Sequence, residues 1–327
     1  MADAIDADRY RACLALMRQS DADSVTQCLL DQLSALPGAR SARGFEIYHV
    51  RGEPVHVATP VAELVVRDLD TLVPVDSPAW IAAAAEVGGQ TCVRALEPAE
   101  GAGLLAHVGV EEGRLRFVEI AGDERLAEHR RFIEDLIVYY ASLRALYDRF
   151  ARDPLTGLLN RQTFETRLAQ VMASARVNIT REQVPSAWLA IIDLDHFKRI
   201  NDKYGHLYGD EVLIAFGQLM RQAFRYSDLL FRYGGEEFVV IFTGTETDGV
   251  RAALDRFRSR IAAHAFPGGP EVTCSIGYTR IDPDMLPCDI AERADRALYA
   301  AKRAGRNRVV ASSDDAAKAP RKAIELS

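Results

Sequence analysis

The chain has 327 residues, of which 48% are hydrophobic and 27% are charged, so it can bury one full core and more readily two. No apolar stretch reaches the roughly 18 residues that a membrane-spanning helix needs, and the first residues lack a signal-peptide pattern, so we expect a cytoplasmic protein without a membrane span. The five cysteines are scattered and never form a C-x-x-C pair, which argues against a disulfide framework and against a cysteine zinc site.

The net charge of −7 is unevenly distributed along the chain. Residues 1–125 contain 20 acidic and 11 basic residues, whereas residues 126–327 contain 27 acidic and 29 basic residues. The acidic first part argues against binding of a nucleic-acid polymer there. The nearly neutral second part, with its local basic clusters, is compatible with a small polyanionic ligand.

Residues 1–125 are predicted to form a small α/β domain. Two amphipathic helices over residues 5–36 are followed by alternating strand and helix patterns, namely strands Gly44–Val50 and Val55–Ala58, a helix over Ala79–Val87, and a hairpin of Leu104–Val110 and Leu115–Ile120. This order of elements resembles a GAF-type sensory domain. The resemblance implies an unknown ligand or protein partner, and a purely structural dimerisation domain is the alternative.

A heptad pattern follows over residues 126–152. Apolar residues recur every seven positions and again three residues later, interrupted only at His129, in the set Leu126, Ile133, Leu136, Tyr140, Leu143, Tyr147 and Phe150. The pattern predicts a parallel coiled coil that joins two copies of the chain in a homodimer. An amphipathic helix packed on its own domain gives a similar pattern and is the alternative. Asp153-Pro154 should end the helix.

Residues 153–311 are predicted to form a second α/β domain with a central β-sheet flanked by helices. Helical and strand patterns alternate along it: helix 161–176, strand 188–193, helix 208–225, hairpin 229–242, helix 247–264, strand 271–279 and helix 289–304. Residues 312–327 contain few large apolar side chains, so a disordered tail is expected there.

Two acidic segments of the second domain predict a metal-dependent nucleotide site. Asp193 ends the apolar strand that begins at Trp188, where a carboxylate is costly unless it is paired or bound to a metal. Glu236 follows Gly234-Gly235 at the hairpin tip, where glycines let the backbone approach a ligand closely. Such oxygen ligands suit Mg²⁺ bound together with substrate phosphates. For the hairpin alone, an ordinary solvated turn is the alternative.

Three basic residues are candidates for phosphate contacts. Lys198 lies five residues after Asp193, close enough in sequence to reach a triphosphate. Lys302 and Arg306 are four residues apart at the predicted end of the last helix, so we expect them to share one helical face. A solvated helix face is the alternative for this pair.

Five motifs in this order resemble the GGDEF family of diguanylate cyclases over residues 153–310. They are Asp153-Pro154-Leu155-Thr156, the run Asp193-x-Asp195-x-Phe197-Lys198-x-x-Asn201-Asp202, Tyr204-Gly205-His206, Gly234-Gly235-Glu236-Glu237-Phe238, and Tyr299-x-x-Lys302-x-x-x-Arg306-Asn307. The resemblance implies that two GTP molecules, one per subunit of a homodimer, condense to cyclic di-GMP with release of two pyrophosphates. Related activities on ATP or with mixed products remain open.

The same resemblance implies two Mg²⁺ ions per active site, with Mn²⁺ as an alternative. Asp193 would bind both ions, the main-chain carbonyl of Leu194 would bind one, and Glu236 would bind metal and accept the 3′-hydroxyl proton, with Lys198 assisting. The role of Glu237 is open. Asp195 is expected to be a structural carboxylate or one that supports the metal ligands, for example by capping the following helix.

Further residues are assigned to the substrate and the product by resemblance. Asn201 and Asp210 would read guanine, while the other substrate contacts would come from Phe197, His206, Lys302 and Arg306. The R-x-x-D pattern at Arg225 and Asp228 matches the family's inhibitory cyclic di-GMP site, with Arg256 as a candidate second arm and a surface ion pair as the alternative. A catalytically silent receptor for cyclic di-GMP or GTP is the main alternative function.

Overall fold

A computed structural model describes residues 2–49, 55, 64–69, 75, 92–95, 103–111, 114–179, 187–225, 227–266 and 271–312. The chain divides into two compact units, Met1–Phe150 and Ala151–Ser327. Each unit has its own five-stranded sheet. Within the described residues, no helix is both long enough and apolar enough to cross a bilayer.

The first unit is built on an antiparallel sheet with the strand order β2-β1-β5-β4-β3. Its strands are β1 (Ala39–His49), β2 (Leu64–Asp68), β3 (Cys92–Ala95), β4 (Gly103–Glu111) and β5 (Arg114–Gly122). Helices α1 (Ala2–Met17) and α2 (Ala22–Ser34) precede the sheet. The Asp21 side chain begins α2 by accepting hydrogen bonds from the N–H groups of Asp23 and Ser24.

The two N-terminal helices and the β4–β5 hairpin confirm the corresponding predictions. The strand predicted over Gly44–Val50 is the second half of β1, whereas β2 and β3 are too short to stand out by periodicity. The helix predicted over Ala79–Val87 lies outside the described residues, as do residues 56–58 of the predicted second strand and residues 313–327 of the predicted tail. The GAF-like assignment of this unit stays a prediction.

The helix with the heptad pattern belongs to the first unit. A 3₁₀ turn over Glu124–His129 leads into α3 (Arg130–Phe150). The early seam residues are buried against α1, α2 and the sheet of the same chain, namely Leu126, Ile133, Leu136 and Tyr140. The Tyr140 hydroxyl also lies 2.8 Å from Thr26 Oγ1. The first half of the seam that was expected to pair with a second subunit is therefore covered within the chain, whereas Phe150 at its end is exposed. For this first half, the structure favours the alternative of a helix packed on its own domain.

The second unit has the strand order β10-β9-β6-β8-β7, in which only the β10–β9 pair is parallel. The strands are β6 (Trp188–Leu194), β7 (Leu229–Arg232), β8 (Glu237–Phe242), β9 (Cys274–Arg280) and β10 (Val309–Ala311). The helices are α4 (Arg161–Ile179), α5 (Phe197–Tyr204), α6 (His206–Ala223), α7 (Thr247–Ala263) and α8 (Pro287–Arg303). The predicted α/β domain with a central sheet is confirmed, and β10 is an addition to it.

Helices cover both faces of this second sheet. Ile192 and Leu194 of β6 pack on one face with residues of α6 and α7. Leu189 lies on the other face with residues of α4 and α8. Because β6 is the central strand and both its faces are buried, its carboxyl end is a rigid position for functional side chains.

Candidate metal and nucleotide site

The two acidic segments meet at the carboxyl end of β6. Strand β8 pairs with β6 so that Asp193 lies opposite Glu237, and the Leu194 N–H donates to the Glu236 carbonyl at 3.2 Å. Asp193 is only 5% exposed. The structure thus brings together Asp193, Leu194 and Glu236, which the sequence predicted to be metal ligands.

The site carries more negative charge than its neighbours neutralise. Burial raises the pKa of Asp193, although Lys302 Nζ lies 2.7 Å from its Oδ2 and opposes the shift. Burial also raises the pKa of Glu236, and the charge of Asp193 adds to that effect. A divalent cation would offset this repulsion, and the Lys302 ammonium already marks where positive charge is favourable.

The donor atoms fit a magnesium ion that is shared with a substrate. Two carboxylates and one main-chain carbonyl are hard oxygen ligands of the kind that Mg²⁺ accepts, with the other positions left to phosphate and water. Among the described residues, no group of three or more His, Cys, Asp or Glu side chains could hold a metal ion. Asp193, Leu194 and Glu236 would therefore hold the ion only as part of a larger set of ligands.

Arg232 fixes the hairpin turn that carries Glu236. Its Nη2 donates to the Gly235 carbonyl at 3.0 Å, while its Nη1 lies 3.1 Å from Asp153 Oδ1. Asp153 also accepts from the N–H and the hydroxyl of Thr156. The first motif of the domain is thus joined to the peptide next to Glu236. Arg232 was not predicted from the sequence, although a cation directly before Tyr233-Gly234-Gly235 was a visible signal.

Glu237 is a third carboxylate at this edge. In an antiparallel pair, residues directly opposite each other project to the same face, and Glu237 is opposite Asp193. Its charge is among those that raise the pKa of Glu236, after burial and Asp193. The register therefore places Glu237 beside Asp193, although the three acids do not form a group of side chains that could hold a metal ion among the described residues.

The two cations predicted to share a helical face do not do so. Helix α8 ends at Arg303, and Arg306 lies beyond it with a positive φ of 62°. The prediction of a shared face is wrong because the chain turns at Gly305 before it reaches Arg306. Lys302 and Arg306 still both act against the rise that burial causes in the pKa of Asp193, whereas Lys198 lies exposed on α5.

The guanine candidates lie on two short-linked helices. Gly205, at a φ of 86°, forms the corner between α5 and α6. The half-buried Asn201 places its side-chain oxygen against Gly209, so closely that a Cβ at Gly209 would overlap it. Asp210 is exposed and directly follows Gly209, so the corner brings the two predicted guanine-binding residues into one region.

The other two predicted substrate residues have different positions. His206 is exposed at the start of α6. Phe197 is 5% exposed, and its ring belongs to the hydrophobic core of this unit. A contact between Phe197 and substrate would therefore have to come from its main chain, because packing takes up its side chain.

Asp195 does not cap the helix that follows it. The N-cap residue of α5 is His196, without a capping side-chain hydrogen bond. The Asp195 carboxylate instead accepts hydrogen bonds from Thr273, Ser275 and the N–H of Asn307. The expectation of a structural role is met, but by contacts distant in sequence.

The R-x-x-D segment forms a turn next to β7. Asp228 Oδ2 accepts from the Arg225 N–H at 2.8 Å, and the Asp228 N–H donates to the Arg225 carbonyl at 3.0 Å. Asp228 is 7% exposed, and its buried Oδ1 has no hydrogen-bond partner among the described residues. Arg225 is exposed, as is Arg256 on α7. No ion pair between the Arg225 and Asp228 side chains is seen within the described segment, so the surface ion-pair alternative has no support.

Residues 150–308 match the protein family described as "Diguanylate cyclase, GGDEF domain". Over 179 residues the chain is 41% identical to diguanylate cyclase DgcP of Pseudomonas aeruginosa, an alignment that covers 54% of this chain and 26% of the relative. It is 36% identical over 187 residues to the probable diguanylate cyclase DgcC of Escherichia coli, covering 56% of this chain and 46% of that protein. The chain thus spans less than half the length of these relatives.

A solved structure gives the same result. The diguanylate cyclase SiaD of Pseudomonas aeruginosa, solved in complex with its activator SiaC, superposes with a TM-score of 0.51 at 34% identity, covering 57% of this chain and 72% of that one. Together with the acidic strand end, the Gly-Gly hairpin and the α5–α6 corner, these matches show that the chain belongs to the GGDEF family, whose domain it carries over residues 150–308.

Proposed function

We propose that the protein is a diguanylate cyclase that condenses two GTP molecules into cyclic di-GMP and two pyrophosphates. The single observation that carries this proposal is the meeting of Asp193 with the Glu236 hairpin at the end of β6, beside Lys302. The named relatives support the same activity. The 3′-oxygen of each GTP forms a bond to the α-phosphorus of the other, and the bond from that phosphorus to pyrophosphate breaks.

Each group of site residues has a distinct task in this reaction. Asp193, the Leu194 carbonyl and Glu236 would hold the Mg²⁺ ions. When bound, such ions polarise the α-phosphate and lower the pKa of the attacking 3′-hydroxyl. Glu236 accepts the 3′-hydroxyl proton, which requires it to lie within hydrogen-bond reach of that group.

The remaining residues bind and orient the nucleotide. Lys198, Lys302 and Arg306 offset the charge of the phosphates and of the departing pyrophosphate. Asn201 and Asp210 offer an amide and a carboxylate to the hydrogen-bonding edge of guanine, which adenine does not match, so GTP is favoured over ATP. His206 approaches the nucleotide from the exposed start of α6.

The reaction requires two copies of the site facing each other. Each site holds one nucleotide, and each nucleotide supplies both an attacking hydroxyl and an α-phosphate. A symmetric homodimer brings the two half-sites together. Holding both sites in one dimer raises the effective concentration of one bound GTP at the other.

Product analysis tests the activity directly. The full-length protein is incubated with Mg²⁺ and either GTP, ATP or both, and the products are separated by chromatography. Cyclic di-GMP with two equivalents of pyrophosphate from GTP alone is the expected result. A Glu236→Gln variant should give none. Absence of turnover together with tight binding of cyclic di-GMP would favour the receptor function instead, and turnover of ATP would point to the alternative substrate class.

We further propose that cyclic di-GMP inhibits the enzyme at Arg225 and Asp228. The exposed Arg225 guanidinium suits a phosphate or a guanine edge, and the buried Oδ1 of Asp228 is an acceptor suited to guanine N–H groups. Arg225→Ala should raise the inhibition constant without lowering the initial rate, and Arg256→Ala tests the second arm. Arg251→Ala, at another exposed position of α7, is the control. An unchanged inhibition constant in Arg225→Ala would contradict this site.

The first unit is proposed to regulate the enzyme as a GAF-like sensory unit. Helix α3 supports this, because it is packed into the core of that unit and ends at Phe150, three residues before Asp153. Native mass spectrometry of the protein as purified from cells would reveal a retained small ligand or a bound protein partner. If removing such a ligand leaves the rate unchanged, the sensory proposal fails.

A further inference from the structure

The carboxylate of Asp195 connects parts of the second unit that are far apart in sequence. Its Oδ1 accepts a hydrogen bond from Ser275 Oγ at 2.7 Å, and its Oδ2 accepts one from Thr273 Oγ1 at 2.7 Å. The Asn307 N–H donates to the same Oδ2 at 3.0 Å. Asp195 is 5% exposed, and three donors of this kind are what a buried carboxylate needs.

The Asn307 N–H belongs to a turn with an uncommon backbone. Arg306 and Asn307 both have positive φ angles, 62° and 44°, which residues other than glycine adopt rarely. Such a conformation persists only where the surroundings hold it in place. Here Asp195 binds the Asn307 N–H, and Arg258 Nη1 donates to the Asn307 side-chain oxygen at 2.9 Å. Together with the Arg306 N–H, which donates to the Ala301 carbonyl at 3.1 Å, these two contacts hold the turn at Arg306.

The turn follows directly on the helix end that reaches the metal-site acid. Lys302, in the last turn of α8, places its Nζ 2.7 Å from Asp193 Oδ2. Burial raises the pKa of Asp193, and the charges of Lys302 and of Arg306 act in the opposite direction, so Arg306 also lies within electrostatic range of this carboxylate. Asp193 therefore pairs with Lys302 and lies within range of the charge of Arg306, while Asp195, two residues later, holds the backbone next to Arg306.

We propose that Asp195 is a positioning residue that sets the location of Arg306 and thereby the recognition of the β- and γ-phosphates of GTP. This inference rests on the proposed function, in which Arg306 faces the phosphates. Loss of the Asp195 carboxylate releases the Asn307 N–H and frees the turn to relax from its left-handed conformation. Recognition of the guanine by Asn201 and Asp210, on a different pair of helices, should not change.

A double-mutant cycle on the full-length protein tests the inference. Affinities for GMP and for a GTP analogue with an uncleavable α,β-methylene bridge are measured by calorimetry in the wild type, in Asp195→Ala, in Arg306→Ala and in the double variant. Asp195→Ala should lower the affinity for the triphosphate analogue about tenfold, which is the lower end of the effect expected for residues that orient a binding group. Its GMP affinity should stay within about twofold of the wild type.

The double variant decides whether Asp195 acts through Arg306. If it does, the double variant binds the triphosphate no more weakly than Arg306→Ala alone, because the side chain being positioned is already gone. The inference would be overturned if the affinity loss in the double variant equalled the product of the losses in the two single variants. It would also be overturned if Asp195→Ala bound GMP and the triphosphate more weakly by the same factor. Steady-state rates add a second measure, in which both single variants raise KM for GTP.

Two further variants separate positioning from folding. Ser275→Ala removes a different donor from the same carboxylate without touching the turn, so its triphosphate affinity should stay within about twofold of the wild type. If Asp195→Ala does not fold, Asp195→Asn retains one acceptor oxygen and should show a smaller loss that is again confined to the triphosphate. If the wild type makes no cyclic di-GMP, the proposed function fails. If the wild type makes it, but Asp195→Asn has the same ratio of triphosphate affinity to GMP affinity as the wild type, only the positioning role fails.

Discussion

Two buried acids, one in each unit, have opposite electrostatic surroundings. Glu46, in β1 of the first unit, is 1% exposed and contacts Arg67, Arg114 and Arg116. Burial by itself raises the pKa of Glu46, but the three arginines outweigh it and hold the pKa well below its usual range. Asp193, in β6 of the second unit, has one ion-paired lysine, and burial leaves its pKa raised.

The opposite pKa shifts distinguish Glu46, which stabilises the fold, from Asp193, which lies in the candidate metal site. Glu46 is over-compensated by fixed guanidinium groups, and Arg116 extends this network to Asp148 on α3 at 3.2 Å. Asp193 is under-compensated, and the neighbouring Glu236 adds to the excess of negative charge. Carboxylates whose pKa is raised because nearby positive charge does not compensate their burial are characteristic of positions that receive a charged ligand.

Glu46→Gln should have the largest effect on stability, because Glu46 is the acid that holds the arginines of the first unit together. It removes the buried negative charge that Arg67, Arg114 and Arg116 share, which should cost about 3–5 kcal/mol of the free energy of unfolding. Urea unfolding of the full-length protein should show the first unit losing stability. Glu128→Gln, at an exposed acid of the same unit, should change the free energy by less than about 0.5 kcal/mol. An unaltered unfolding midpoint for Glu46→Gln would mean that the arginines do not depend on this acid.

Asp193→Asn should have the reverse effect, on activity and not on stability. Removing a direct metal ligand should lower the rate of cyclic di-GMP formation by more than about a hundredfold, since even residues that only orient such ligands account for 10–100-fold. Stability should be unchanged or higher, because the substitution removes a desolvated charge that repels Glu236. Rates with GTP and unfolding curves are measured on the same preparation.

An exposed acid nearby provides the control for Asp193→Asn. Asp202 lies on α5, nine residues after Asp193, with its side chain exposed. Asp202→Asn removes the same charge from the same part of the chain and should keep the wild-type rate within about twofold. Equal losses in the two variants would indicate a general effect of charge and not a role for Asp193 as a ligand.

The sequence predicted the site acids because their signals are local. Asp193 stands at the end of an apolar run and Glu236 follows two glycines, so each is visible within a window of a few residues. Both strands are continuous apolar runs, which predicts that they are buried side by side in one sheet, and their pairing brings the two acids together. The α/β architecture of residues 153–311 was predictable for the same reason.

The remaining features depend on contacts that no local pattern reports. Arg232 reaches Asp153 across 79 residues, and the Asn307 N–H reaches Asp195 across 112. The heptad pattern from Leu126 correctly predicts an apolar face, but periodicity does not tell whether a second subunit or the same chain covers it. Glu46 is invisible in sequence as a buried acid, because its three arginine partners come from β2 and β5.

Asp228 offers a pH test of the same comparison. Burial raises the pKa of Asp228 to about 6 from an ordinary value of 3.8, against the opposing effect of the Arg225 N–H. The folded protein therefore holds this proton more tightly than the unfolded chain does, so the contribution to stability is full below pH 4 and is lost as the pH rises through 6. Relative to Asp228→Asn, the wild type should lose roughly 2–3 kcal/mol between pH 4 and pH 7, at about 1.4 kcal/mol per pKa unit. A difference between the two proteins that stays constant with pH would contradict this.

Gly209→Ala changes the geometry of the second unit without changing any charge. It therefore tests the predicted guanine contact of Asn201 separately from the charges at Asp193 and Glu236. The added Cβ would overlap the Asn201 side-chain oxygen and lie 3.2 Å from Phe197 Cζ, and since Phe197 is fixed in the core, Asn201 must move. Loss of one hydrogen bond to guanine should raise KM for GTP about tenfold and lower the preference for GTP over ATP, while kcat changes less.

Gly249→Ala on α7, where the Cβ would meet only Thr245 Cγ2, is the matched control. A higher KM with an unchanged preference for GTP would place Asn201 outside the guanine contact, whereas a lower preference with intact metal-dependent turnover would show that base recognition and the charged centre act separately.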